Sequence, residues 1–138
     1  MAAIVCGYDD TTGSKAALGV AAELASSLGD KLVIGYGYGP PGSVGDEFKE
    51  HREALMEMGR KMTDEAKAQA DAAGVDAQVE LVEERGVDAL LSLAERHSAR
   101  FIVVGTYGES PLKGAILGST PQRLVHLSDV PVVVVPAA

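Results

Sequence analysis

The chain has 138 residues, enough for one compact domain, residues 1–138. Its 20 acidic residues against 12 Lys and Arg leave a formal charge of -8, a surface that repels phosphodiester backbones and anionic lipid and so argues against nucleic-acid and membrane partners. With 46% apolar and 23% charged residues the balance is globular, not disordered, and a single cysteine excludes an internal disulfide.

The opening residues MAAIVCGYDD lack a basic flank followed by a long apolar stretch. No run approaches the ~18 apolar residues of a membrane helix, so the expectation is a cytoplasmic protein. Cys6 lies in an apolar run and reads as a buried thiol of a reducing compartment, not a nucleophile.

Ala3 to Tyr8 (AIVCGY) is the first predicted strand, ended by the turn-forming residues Asp9 to Gly13. Over Ser14 to Leu28, residues Leu18, Ala21, Ala22, Ala25 and Leu28 share one helical face, and Gly29-Asp30 closes that helix. Lys31 to Tyr36 (KLVIGY) is a second strand, followed by the breaker cluster GYGPPG. Asp46 to Ala73 carries Phe48, Leu55, Met58, Met62, Ala66 and Ala73 at helical spacing; Gly59 weakens the case for an unbroken helix, and Gly74 stops it. Val75 to Val82 alternates apolar and polar residues, as an edge strand with one exposed face does. Val87 to His97 is helical with Leu90, Leu91 and Ala94 inward, and Arg100 to Gly105 (RFIVVG) is a strand expected to be buried on both faces. Gly118 to Leu127 is a short helix with Pro121 in its first turn, where a missing N–H costs little. Val132 to Val135, bracketed by Pro131 and Pro136, is the last strand.

Five strands joined by four helices predict an α/β fold, a single doubly wound five-stranded parallel sheet with helices on both faces. In such sheets ligands bind outside the carboxyl ends of the strands, where strand order reverses. The informative residues cluster there. After the fourth strand come Gly105, Thr106, Tyr107 and Gly108, then nine residues, then Gly118, Ser119 and Thr120 at the start of the last helix. Glycines let backbone N–H groups approach an anion, and a helix N-terminus adds unpaired donors and partial positive charge. The set suits a di- or triphosphate. Taken singly, Gly105 and Gly108 read equally as turn residues and Ser119 as an N-cap.

The spacing Gly105-x2-Gly108-x9-Gly118-Ser119 resembles the nucleotide-binding signature G-x2-G-x9-G-[S/T] of the universal stress proteins. The likeness extends over nearly the whole chain, through IVCGYDD, the long second crossover, VDALLSLAERHSARFIVVGTYG and the terminal PVVVV. It implies an ATP-binding member with a Rossmann-like sheet of the adenine nucleotide alpha hydrolase type. By that resemblance Asp9 lies near the ribose or adenine, and the backbone at Gly7 and around Gly37 flanks the base. Val104 and Gly105 line the nucleoside pocket, while Gly108, Gly118, Ser119 and Thr120 take the phosphates. The cofactor implied is ATP, or AMP or ADP, with Mg2+ or Mn2+ held through the phosphates rather than by protein ligands. The chain carries Asp10 where glycine is common, and Gly35 and Tyr36 where bulkier strand residues are usual; Lys113 stands within the nine-residue stretch, where it either offsets phosphate charge or is an exposed loop residue. The resemblance also implies a homodimer joined through the last strand, Val132 to Val135. A valine run at a sheet edge invites such pairing, and interior burial is the other reading of the same residues.

Several sharper-looking signals carry less. Gly37 to Gly42 matches GxGxxG after a strand, yet Pro40 and Pro41 remove two of the donors a pyrophosphate needs. No GxxxxGK[ST] occurs. His51, His97 and His126 stand in three separate helical segments without metal-ligand spacing and read as surface or helix-end residues. Asp9 and Asp10 on an extended chain would point to opposite sides and not form an acid–base pair.

The function expected is that of an adenine-nucleotide-binding stress-response or regulatory protein, with no catalytic residue and at most weak ATP hydrolysis. Two alternatives stay open: a slow nucleotide-hydrolysing enzyme, for which only Asp9 and Asp10 qualify, and a dimerising interaction module that binds a cyclic nucleotide or none.

Overall fold

Strands and helices alternate through residues 2–39, 46–106 and 118–137, which the computed structural model describes. Gly108, Lys113, Ser110 and Tyr107, the residues Pro40 to Gly42 of the breaker cluster, and the Phe48 side chain lie outside the described residues. The elements are β1 (Ala3–Gly7), α1 (Thr12–Leu28), β2 (Lys31–Gly37), α2 (Asp46–Ala72), β3 (Ala77–Val82), α3 (Gly86–Arg96), β4 (Ala99–Gly105), α4 (Ser119–Leu127) and β5 (Val132–Val135). The five strands form one parallel sheet in the order β3-β2-β1-β4-β5. This is the predicted doubly wound α/β architecture.

Strand alternation sends successive side chains into two cores. Ile4, Cys6, Leu32, Ile34 and Val103 face one layer, where they meet Ala17, Leu18, Ala21 and Ala25 of α1 and Ala66 and Ala70 of α2. Ala3, Val5, Val33, Ile102 and Val104 face the other, against Val87, Leu90 and Leu93 of α3 and Leu124 of α4. Small residues on α1 bring that helix close to the sheet; Leu93 and Leu124 fill the opposite layer without any exposure. Truncating either leucine to alanine would cost about 2–5 kcal/mol.

Local chemistry explains where the elements differ from expectation. α1 starts at Thr12, two residues early, because Thr11 is a true N-cap whose Oγ1 accepts the Ser14 N–H at 3.1 Å. Its other end is closed by Gly29 in the left-handed region at φ 68, as predicted. α2 runs unbroken through Gly59, because the helix backbone there packs against the Tyr36 ring: a Cβ would lie 2.4 Å from Tyr36 Cδ2. β3 is an edge strand, as its alternation indicated. β4 is not apolar on both faces along its whole length: Ile102, Val103 and Val104 are buried, but Arg100 is exposed and Phe101 half-buried. β5 lies at the opposite edge with Val132, Val133 and Val134 half-buried, so the interior alternative falls away.

Polar contacts also tie separate elements together. Arg100 donates to Asp30 through Nε at 2.7 Å and NH2 at 3.1 Å, and His97 and Arg96 at the end of α3 both pair with Glu80 of β3. Burial raises the Glu80 carboxyl, but its bonds with His97 and Arg96 outweigh burial and hold it below its ordinary value. Among the described residues no helix is long and apolar enough to cross a membrane.

Candidate functional site

β1 leads to β2 on one side, whereas the chain returns through α3 to β4 on the other, so strand order reverses between β1 and β4. At their carboxyl ends lies a cleft of about 430 Å³. Gly7, Asp9, Gly37, Val104, Gly105, Gly118, Ser119 and Thr120 all line it, contributed by the ends of three strands and the start of α4. They are eight of the nine residues singled out from the sequence; the ninth, Gly108, lies outside the described residues.

The β1–α1 turn orients one carboxylate. Asp9 Oδ1 accepts the Thr11 hydroxyl at 2.6 Å and the Thr11 N–H at 3.2 Å, while the Asp9 N–H donates to Ser14 Oγ at 3.3 Å. Oδ2 has no partner among the described residues and stays able to accept. Asp10 departs from the extended conformation assumed for it. It sits at φ 64, the left-handed region that Asp tolerates better than most residues. Its carboxylate accepts from the Tyr8 hydroxyl at 3.2 Å and lies 3.6 Å from Lys15 Nζ. The two aspartates therefore serve separate partners, as expected, but because of a turn and not because of strand alternation.

The backbone at the other strand ends is crowded in ways only glycine allows. A Cβ on Gly105 would stand 2.6 Å from the carbonyl carbon and oxygen of Gly13, so the end of β4 and the first turn of α1 touch backbone to backbone. At the end of β2 the Tyr38 N–H donates to Val82 O at 2.9 Å and the Gly39 N–H to Glu84 O at 3.0 Å. Those amides, within the GxGxxG match, are spent on the end of β3 and the loop after it and not on a pyrophosphate.

Three helix starts border the cleft. Thr11, Gly86 and Ser119, at the starts of α1, α3 and α4, all line the cleft, and the Gly86 Cβ position is 3.8 Å from Thr120 Oγ1. Their aligned peptide dipoles put partial positive charge at its mouth, suited to an anion. α4 is capped by Gly118, not Ser119. The Gly118 N–H donates to Thr106 O at 2.6 Å, so the first-turn donors without a partner among the described residues are the Ser119 and Thr120 amides and hydroxyls; Pro121 has no N–H. Leu90 and Val104 give the cleft an apolar floor.

Eight further residues line the cleft: Gly35 and Tyr36, noted in the sequence only as departures from the family's pattern, and Tyr8, Thr11, Ser14, Gly86, Leu90 and Pro121, which sequence reasoning did not place there. The signal for Thr11 and Gly86 was present: in an all-parallel sheet every helix starts at the edge where the strands end. Tyr36 and Leu90 needed the third dimension. Burial and, less, Asp9 raise the Tyr36 hydroxyl above its ordinary value. Cys6 lies beneath the site, fully buried, its thiol pushed up to about 12 by burial and then by Asp9, which makes it inert. His51 and His126 are exposed, His97 ends α3, and among the described residues no group of His, Cys, Asp and Glu could hold a metal.

The family model described as Universal stress protein family matches residues 1–136. A universal stress protein of Thermus aquaticus is 33% identical over 136 residues, covering 96% of each chain. A universal stress protein solved in complex with cAMP is similar at 29% identity with a TM-score of 0.73, over 99% of this chain and 98% of that one. The universal stress protein UspA from Lactobacillus plantarum shares the fold, with a TM-score of 0.81 at 18% identity and 97% coverage of both chains.

Proposed function

The chain belongs to the universal stress protein family, and from that premise we propose that its cleft binds an adenine nucleotide, ATP with Mg2+ or Mn2+ carried through the phosphates. The observation behind this reading is the convergence of eight sequence-selected residues on a single cleft at the point where strand order reverses. Asp9 Oδ2 accepts a ribose hydroxyl; backbone at Gly7 and Gly37 flanks the base above Leu90 and Val104. The Ser119 and Thr120 amides and hydroxyls take phosphate oxygens, Gly105 and Gly118 let the polyphosphate lie close to the chain, and Gly108 completes the signature.

Asp9 is the only acidic side chain among the described lining residues, and its Oδ1 already holds Thr11. Among the described residues Asp9 is thus occupied in the turn, and the proposed role is regulatory binding, a stress-response protein of the cytoplasm with at most weak ATP hydrolysis, built as one domain over residues 1–138. The chain pairs with a second copy through Val132 to Val135; the half-buried edge valines and the exposed Val125 and Leu127 of α4 support that face. A relative solved with cAMP favours a second reading, a pocket for a cyclic or monophosphate nucleotide.

Calorimetric titration with ATP, AMP and cAMP, each with and without Mg2+, tests both readings. Saturable ATP binding strengthened by Mg2+ is the expected result; tighter binding of cAMP would select the second reading, and no heat from any nucleotide at millimolar concentration would refute both. Sedimentation of wild type against Val133→Lys checks the pairing: a dimer unaffected by the lysine would move the interface elsewhere.

A further inference from the structure

We infer that the outer face of α1 is a docking surface for α1 of a second copy of this chain, the two helices crossing antiparallel about Gly19. The inference goes beyond the nucleotide reading and does not depend on it. α1 packs over β1 and β4 and α2 over β2 and β3, so the two helices stand side by side on one face of the sheet. Between them runs an open groove of about 450 Å³, floored by the buried Leu18, Ala70 and Val75 and edged by Lys15, Gly19 and Glu23. It lies over the middle of the sheet, apart from the β5 edge proposed for the other pairing.

Nothing within the chain accounts for Gly19. Glycine is a poor residue for a helix interior. At Gly59 the Tyr36 ring explains it, but at Gly19 no atom lies within 4 Å of the Cβ position and φ is not positive. A missing side chain on an exposed ridge leaves room for a backbone from outside. Lys15, Gly19 and Glu23 form one i, i+4, i+8 ridge, the charged residues standing about 6 Å either side of the glycine along the axis. They are the only charged residues of α1, and their signs are opposite. Ridges of this kind from two helices lie alongside each other in the commonest crossing geometry. With a two-fold axis at Gly19 the ridge complements itself: Lys15 of each copy lies beside Glu23 of the other. A parallel pairing would set like charges together, so the order of charge also fixes the direction. Within its own chain Lys15 stands 3.6 Å from Asp10, but both side chains are exposed, and a surface pair of that kind holds weakly.

Sedimentation equilibrium of the full chain reads the two surfaces separately. A contact between two helices is small, so this step is expected to be weak, with a dissociation constant of roughly 10 µM to 1 mM. Wild type should form pairs of β5 dimers that come apart on dilution and in high salt. Gly19→Gln, a change on the exposed side of a helix, should remove this step and leave the β5 pair, whereas Val133→Lys should leave a dimer held through α1. Lys15→Glu and Glu23→Lys should each weaken the step about tenfold or more, by setting like charges together twice in every pair. Mixed in equal amounts, the two charge variants should associate as wild type does, because one ridge is then wholly acidic and the other wholly basic. Association unaltered by Gly19→Gln and by both charge reversals would overturn the inference. So would a mixture of the charge variants that associates no better than either alone. Monomers from Gly19→Gln, with Val133→Lys changing nothing, would uphold the α1 surface and remove the β5 pairing instead.

Discussion

The contact between Gly59 and Tyr36 can be tested by whether two substitutions act independently. Replacing a helical glycine by alanine is ordinarily favourable by about 1 kcal/mol, because alanine has less backbone freedom to lose. At Gly59 the added carbon would stand 2.4 Å and 2.6 Å from two ring atoms of Tyr36, far inside contact distance. The ring must shift or α2 must lift from the sheet, and overpacking of this kind costs about 1–3 kcal/mol. Gly59→Ala alone is therefore expected to be destabilising or at best neutral. In a Tyr36→Ala background the obstacle is gone and the same change stabilises by about 1 kcal/mol. The coupling between the sites is thus about 2 kcal/mol, a difference of about 4–8 °C in midpoint for a chain of this size. Urea denaturation of the four proteins of the cycle, followed by circular dichroism, measures it. Additivity within ~0.5 kcal/mol would refute the claim that the missing Cβ exists to admit the ring.

Three further outcomes follow from named contacts. Gly105→Ala places a carbon 2.6 Å from Gly13 backbone atoms that cannot swing aside, so it should cost about 2 kcal/mol or more, whereas Gly19→Ala on the exposed face of α1, with nothing within 4 Å, should stabilise by about 0.5–1 kcal/mol; equal thermal midpoints for the two variants would contradict this. Because the Glu80 carboxyl is held below its ordinary value in the fold, its contribution is complete above the unfolded value near ~4.3 and is lost as pH falls through the folded one. Glu80→Gln should then be less stable than wild type by about 1 kcal/mol at pH 6, with the gap closing towards pH 3 in urea titrations; a gap that widens in acid would reverse the assignment. Cys6, fully buried with its thiol pushed up to about 12, should resist an aromatic disulfide reagent at pH 8 until urea unfolds the chain; fast stoichiometric labelling of the native protein would show that the sheet opens there.

Periodicity carried a long way. Alternating short apolar runs with helical stripes sufficed for five parallel strands and helices on both faces, because a parallel connection needs a crossover and its hand is nearly invariant. The alternation of Val75 to Val82 revealed one sheet edge in advance, since a strand open to water on one face must be polar there. The glycine spacing around Gly105 and Gly118 located the cleft for a similar reason: close backbone approach is written directly in residue type.

What local pattern concealed were contacts between segments distant in the chain. Gly59 read as a weak point in α2 because propensity counts a glycine's entropy and not the ring of Tyr36, 23 positions earlier, that needs its space. That the Gly118 N–H is engaged by Thr106 O could not be read from the glycine spacing. Asp10 read as extended until the turn into α1 rotated it to φ 64. The chain's own residue order thus determined the sheet, its helices and the edge where a ligand can lie, for these depend on spacing along the backbone. Which amides remain free, which carboxylate oxygen is open and which helix makes room for the Tyr36 ring was decided only in three dimensions, where partners from separate elements compete for the same donors and the same space.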